Sequence, residues 1–238
     1  DHTEPEVAMA AREALLRAER LHEHTPSRRR TRAHRRHAYA ADEHGTVVVP
    51  EGTTSINSCA HLSSTSLRAI AFPSSLTSIG SNAFEDCISL FRVCLNPSLS
   101  SIGDRAFANC TALVSISLSA NLETIGNRAF ACCSSLTTIY LPASLMSIGT
   151  GAFFCCTALS TITLPAKLKT IGNRAFAGCT SLVQVNLPPT VESIEDHAFL
   201  CCTSLTTISL STSLISIGNR SFAGCISLTA LVIPNRLK

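Results

Sequence analysis

The sequence predicts an α/β repeat: a solenoid of 23-residue coils, each with one short parallel strand and one short helical turn, preceded by a helical N-terminal arm. Three columns of residues predict it. Phe recurs at 84, 107, 130, 153, 176, 199 and 222, a constant step of 23. Cys follows each Phe by three positions, at 87, 110, 133, 156, 179, 202 and 225. Leu follows by three more, at 90, 113, 136, 159, 182, 205 and 228. Self-similarity at a fixed period of roughly 20 to 50 residues marks an architecture of stacked units, each too small to bury its own apolar face.

The elements follow in chain order. Residues 1–44 do not repeat and form the first domain. Thr3 and Glu6 have capping-box spacing, and Val7, Ala11, Ala14, Leu15 and Ala18 share one face, so an amphipathic helix is expected to about His22. Thr25-Pro26 ends it. Residues 27–37 then hold six arginines, Arg28, Arg29, Arg30, Arg32, Arg35 and Arg36, and no acid. Such a run serves as a solvated cap on the first coil, as an arm gripping an acidic protein or a lipid surface, or as a nucleic-acid contact. The last reading is the weakest, because no aromatic residues or reader motif accompany the charge. His22, His24, His34, His37 and His44 suggest a metal. The guanidinium groups around His34 and His37 repel a cation, so none is expected.

Residues 45–238 form the second domain. Ile116-Ser117-Leu118 and its equivalents alternate apolar and polar residues, as a strand with one buried face does. Nine such strands are expected, from Val47 to the stretch 230–233. Pro50, Pro73, Pro142, Pro165, Pro188 and Pro234 stop strands. Gly80, Gly103, Gly126, Gly149, Gly172 and Gly218 permit a turn that a Cβ would resist. Residues 127–133 are too few for an independent helix and read as one helical or 3₁₀ turn. The earliest coil has degenerated, with His61 in the Phe column and Ser64 in the Cys column, as terminal repeats do when they cap. At the other end the strand edge at 230–233 is a template for pairing with a partner or another copy, unless the chain is truncated.

Composition narrows the function. With 45% hydrophobic and 15% charged residues the chain is not intrinsically disordered. A net charge of +3 with two Tyr and no Trp gives little to hold or stack nucleic acid. No apolar run is long enough to cross a bilayer as a helix, and the acidic start at Asp1–Glu6 shows no secretory signal. The six arm arginines exceed the whole net charge, so the remainder is slightly acidic.

The repeat L-x-S-I-G-x-x-A-F-x-x-C-x-x-L-x-x-I-x-L-P, in seven near-complete copies from Leu76 to Ile233, resembles the BspA-like, or treponemal-type, leucine-rich repeat. The resemblance implies a leucine-rich repeat solenoid and a binding surface, often on secreted or cell-surface adhesion proteins. It assigns no ligand and no functional residue.

The Cys column, in phase with Phe and Leu, reads as buried thiols acting as small apolar groups. It lacks the close pairs of a zinc ribbon, so no metal or other cofactor is expected. Cys132 and Cys155 share a position in adjacent coils where a bond could form, but the vicinal Cys-Cys pairs read more simply as tolerated small residues. Reactive thiols at Cys94 or Cys132 would instead indicate redox chemistry.

Candidate binding residues fall on two surfaces. On the exposed sheet face, short hydroxyl side chains dominate; Arg92, Tyr140, Gln184 and Asn186 stand out, with Tyr140 the only aromatic and Arg92 the only charge. Beside the turns, Arg105, Arg128, Arg174 and Arg220 share one repeat position and form a broken basic ridge. Glu195-Asp196-His197 interrupts that ridge and is the nearest approach to an acid/base site, but no nucleophile lies in phase. The expected function is therefore a non-catalytic protein-binding scaffold, a structural or adapter subunit of a larger assembly. A surface adhesin is the alternative, and a thiol redox or metal-binding protein the second. The compartment is extracellular if family-typical, and otherwise intracellular or organellar as part of a complex.

Overall fold

The computed structural model describes residues 39–234 and Leu237. The arm helix, the six arm arginines and the N-terminal histidines up to His37 lie outside the described residues. Sixteen short strands follow in order: β1 (Thr46–Val48), β2 (Ser55–Ile56), β3 (Ala69–Ala71), β4 (Ser78–Ile79), β5 (Arg92–Cys94), β6 (Ser101–Ile102), β7 (Ser115–Ser117), β8 (Thr124–Ile125), β9 (Thr138–Tyr140), β10 (Ser147–Ile148), β11 (Thr161–Thr163), β12 (Thr170–Ile171), β13 (Gln184–Asn186), β14 (Ser193–Ile194), β15 (Thr207–Ser209) and β16 (Ser216–Ile217). The odd-numbered strands make one eight-stranded parallel sheet in chain order, with partners 23 residues apart. The even-numbered strands make a second side of the solenoid, split into five strands (β2 to β10) and three (β12 to β16).

Four sequence expectations are corrected. Each coil carries two strands, because the Ser-Ile or Thr-Ile pair before each Gly position also pairs with its neighbours. The sheet has eight strands, since residues 230–233 form none among the described residues. The turn segments are not helical, and the described residues contain no helix. In the coil of Phe130, Ala129, Ala131 and Cys133 donate to carbonyls three residues back, at 3.1–3.3 Å. The amides between them, Arg128, Phe130 and Cys132, donate to Thr150, Ala152 and Phe154 of the next coil at 2.7–2.8 Å. Positive φ at Arg128 (54°) and Cys132 (59°) sets this alternation, as the third residue of a type II turn requires and a helix forbids. Finally, the repeated glycines are needed for close approach: a Cβ on Gly149 would lie 2.5 Å from the Asn127 nitrogen and the Gly126 carbonyl carbon of the preceding coil.

The core is a set of columns running the length of the solenoid. Phe84, Phe107, Phe130, Phe153, Phe176 and Phe199 are fully buried, and their rings stack at 5.1–5.6 Å within 12° of parallel. Offset stacking at this separation adds to the area buried. Each column thiol donates to the carbonyl 26 residues back, as Cys133 does to Phe107 at 3.1 Å and Cys179 to Phe153 at 3.2 Å. Cys suits this position because it is small, apolar and able to give one weak hydrogen bond.

His61 ends the aromatic column. It stacks on Phe84 at 5.4 Å and 8° on one side and on Tyr39 at 6.3 Å on the other, and its Nε2 is buried without a hydrogen-bond partner. Burial lowers its pKa from 6.5 to about 4. The unfolded chain therefore takes up this proton first as pH falls. The stability His61 contributes is complete above pH 6.5, declines through the interval down to about 4, and levels off below it. The loss amounts to about 3 kcal/mol. His61→Phe restores the column residue, and the stability difference between wild type and variant is expected to widen from neutral pH toward about pH 4, read by urea unfolding. A difference that stays constant with pH contradicts a buried neutral imidazole.

Candidate functional site

The outward face of the eight-stranded sheet carries the first candidate surface. In each strand the middle Val or Ile is buried, for example Ile116, Ile139, Ile162, Val185 and Ile208, which turns its two neighbours outward. Tyr140, at the end of β9, is 77% exposed, and its register partner on β11 is Thr163. Gln184 on β13 pairs in register with Thr161, and its Nε2 donates to Asn186 Oδ1 at 3.2 Å. Arg92 lies on β5, exposed, in register with Ser115. The four predicted face residues thus share one surface, spread over β5, β9 and β13 without converging in a cleft.

The second surface is the row of turn arginines. Arg105, Arg128, Arg174 and Arg220 all adopt φ of 53–54°, with Asn82, Gly151 and His197 at the equivalent position of other coils. Burial lowers the Arg128 pKa, and the charges of Arg105 and Arg174 lower it further, so the guanidinium groups feel one another along the edge. The row is less uniformly basic than its sequence suggests. Arg105 Nη1 is 3.2 Å from Glu85 Oε1, and Glu195 and Asp196 adjoin its other half.

The Glu195-Asp196-His197 stretch is structural in its contacts. Glu195 Oε2 accepts the Asn173 amide at 2.8 Å, and Asp196 Oδ1 accepts the Asn219 amide at 2.7 Å. Asp104 and Asn127 do the same for the amides of Asn127 and Thr150. The carboxylates line an open groove of about 310 Å³ with Asn173, Ser193, Ser216 and Gly218. Desolvation, then Arg174, lowers the His197 pKa, with Arg220 adding to the shift and Asp196 opposing it; the buried Nδ1 has no hydrogen-bond partner. Sequence reasoning missed the backbone-capping role; the recurrence of Asp or Asn at 104, 127, 173, 196 and 219 was its available signal.

Most of the thiol column is held in the protonated form. Burial pushes Cys179 up to about 12 and raises Cys110, Cys133, Cys156 and Cys202 as well, which suppresses the nucleophilic thiolate. Half-buried Cys225 is the exception, lowered by a hydrogen bond with Cys202. Cys132 and Cys155 belong to a small outer apolar cluster with Ala108, Ala131, Phe154 and Ala177. Among the described residues no group of three or more His, Cys, Asp or Glu is placed to hold a metal ion. No helix among them is long and apolar enough to cross a membrane.

A family described as BspA type leucine-rich repeat region, with six copies, matches residues 35–160 and 147–238. Among solved structures, a leucine-rich repeat protein from Bacteroides ovatus is 28% identical with a TM-score of 0.75, covering 83% of this chain. The chain spans 57% of that protein's length. The leucine-rich repeat protein of T. pallidum is 29% identical with a TM-score of 0.65, covering 80% of this chain and 81% of its own. A leucine-rich cell surface protein from Faecalibacterium prausnitzii is 28% identical with a TM-score of 0.52, over 77% of this chain and 58% of its own. A comparison with curated proteins gave no match.

Proposed function

This chain belongs to the BspA-type leucine-rich repeat family, and from that premise we propose that it is a non-catalytic protein-binding scaffold whose recognition surface is the outward face of the eight-stranded sheet. The observation that carries the reading is the exposure of Tyr140 near the middle of an in-register parallel face. A large amphipathic side chain held by a rigid sheet is what an interface anchor needs. Arg92, Gln184 and Asn186 extend the contact, and the basic arm provides a second attachment to an acidic surface of the same partner. The chain serves as an adapter or structural subunit. Its likeness to the F. prausnitzii cell surface protein favours the second reading, an adhesin using the same face.

Affinity purification tests the proposal with three full-length baits: wild type, Thr161→Glu/Thr163→Glu on the sheet face, and a form with all six arm arginines changed to Ser. Both positions on β11 are exposed, so stability should move by about 1 kcal/mol or less for the two changes together. Wild type and the arm variant are expected to recover a common protein partner that the face variant loses. Recovery by all three baits, or by none, counts against the sheet face.

A further inference from the structure

Across β7, β9, β11, β13 and β15 the outward side chains carry no formal charge. They are hydroxyls and amides around one aromatic ring, with Arg92 on β5 marking the border. Such a surface offers donors and acceptors without charge, which suits a polyhydroxylated ligand in addition to the protein contact. We propose that this part of the face binds a neutral polysaccharide, with one sugar ring against Tyr140 and its hydroxyls hydrogen-bonded to Thr161, Thr163, Gln184 and Asn186. The proposal rests on the reading that the sheet face is the recognition surface, and adds a glycan to the ligands of that surface.

Three features fit that ligand. Ser117 and Thr163, on the strands flanking β9, are short and Tyr140 between them is 77% exposed, which leaves ring area for the apolar side of a sugar. Hydroxyl and amide groups both donate and accept, which a polyhydroxylated ligand requires and an ionic ligand does not. The Gln184–Asn186 bond holds both amides in place, leaving Gln184 Oε1 and Asn186 Nδ2 for the ligand. The absence of charge points the same way: these strands take a neutral chain without stripping water from an ion. Strands about 4.8 Å apart give the five strands a span of about 19 Å, enough for several sugar units on one pre-ordered surface.

Calorimetric titration of the full chain with cellohexaose, xylohexaose, mannohexaose and maltohexaose tests the proposal, with polygalacturonate as the charged control. At least one neutral oligosaccharide is expected to bind with an affinity indifferent to salt. Tyr140→Ala should weaken it about five- to tenfold, while Tyr140→Phe, which keeps the ring, stays within about twofold. Absence of binding to all four neutral probes overturns the proposal, as does binding that survives Tyr140→Ala or that is confined to polygalacturonate. If the proposal fails while Thr161→Glu/Thr163→Glu still abolishes recovery of a protein partner, the scaffold reading stands and only the glycan assignment falls.

Discussion

Phe153→Ala is expected to remove about 3–5 kcal/mol of stability, the range for deleting a large buried aromatic side chain. Phe153 is fully buried and stacks on Phe130 at 5.6 Å and on Phe176 at 5.5 Å, both within 4° of parallel. No neighbouring side chain can refill the space, because each ring is fixed by its own coil's turn bonds and by the ring beyond it. The loss also falls between the two halves of a stack whose stability is a sum of nearest-neighbour terms. Urea unfolding of Phe153→Ala should therefore show a lowered midpoint and a broadened or two-step transition. Phe222, half-buried and stacked on only one described ring, should lose substantially less on the same change. Equal losses at the two positions contradict a stacked column as the main source of cohesion.

Gly149→Ala is expected to cost about 3 kcal/mol or more, the upper end of overpacking effects. Its new Cβ would meet backbone atoms of the preceding coil at 2.5 Å, and backbone has no rotamer with which to give way. Gly172, one coil later at the same repeat position, differs. A Cβ there would meet Ile148 O at 3.2 Å and Gly149 atoms only at 3.7 Å. This is where the even-numbered strands divide, β10 ending one sheet and β12 starting the next. Gly172→Ala should accordingly stay within about 1 kcal/mol of wild type, since the reduced freedom of the unfolded chain offsets a minor contact. Thermal unfolding of the two variants side by side checks this. Similar losses would mean that the coils are evenly spaced at 149 and 172.

The same division explains Glu195. It stands where other coils have Gly, and its carboxylate reaches back to the Asn173 amide, which the preceding Thr150 does not cap. In sequence it read as a break in the basic ridge and the nearest approach to an acid/base site. Its role is visible only once the backbone amides are placed, because a carboxylate at a turn carries no mark of what it accepts.

The 23-residue period made the columns, the three-residue strands and the buried thiols legible, since each depends only on side-chain size in register. The second strand of each coil was not legible. Two residues such as Ser147-Ile148 are too short for any periodicity to declare them, and they pair only because the neighbouring coil repeats them. The turns were misread as helical for a related reason. Arg at φ of 53–54° is unusual, and nothing local in Asn-Arg-Ala-Phe announces a positive φ; the requirement comes from directing alternate amides into the next coil. Of the predicted site residues, the face set shares one surface because strand alternation is a reliable guide to facing. The turn arginines share one backbone position, but the acids that adjoin them, Glu85, Glu195 and Asp196, lie at other repeat positions.

A photoreactive phenylalanine analogue placed at position 140 of the full chain tests most directly whether the sheet face is the recognition surface. Irradiation of the protein with its binding partner should yield a covalent adduct through position 140 and little or none from the same analogue at position 220, on the turn side. Adducts formed through position 220 and absent at position 140 would contradict the account and move recognition to the turn ridge.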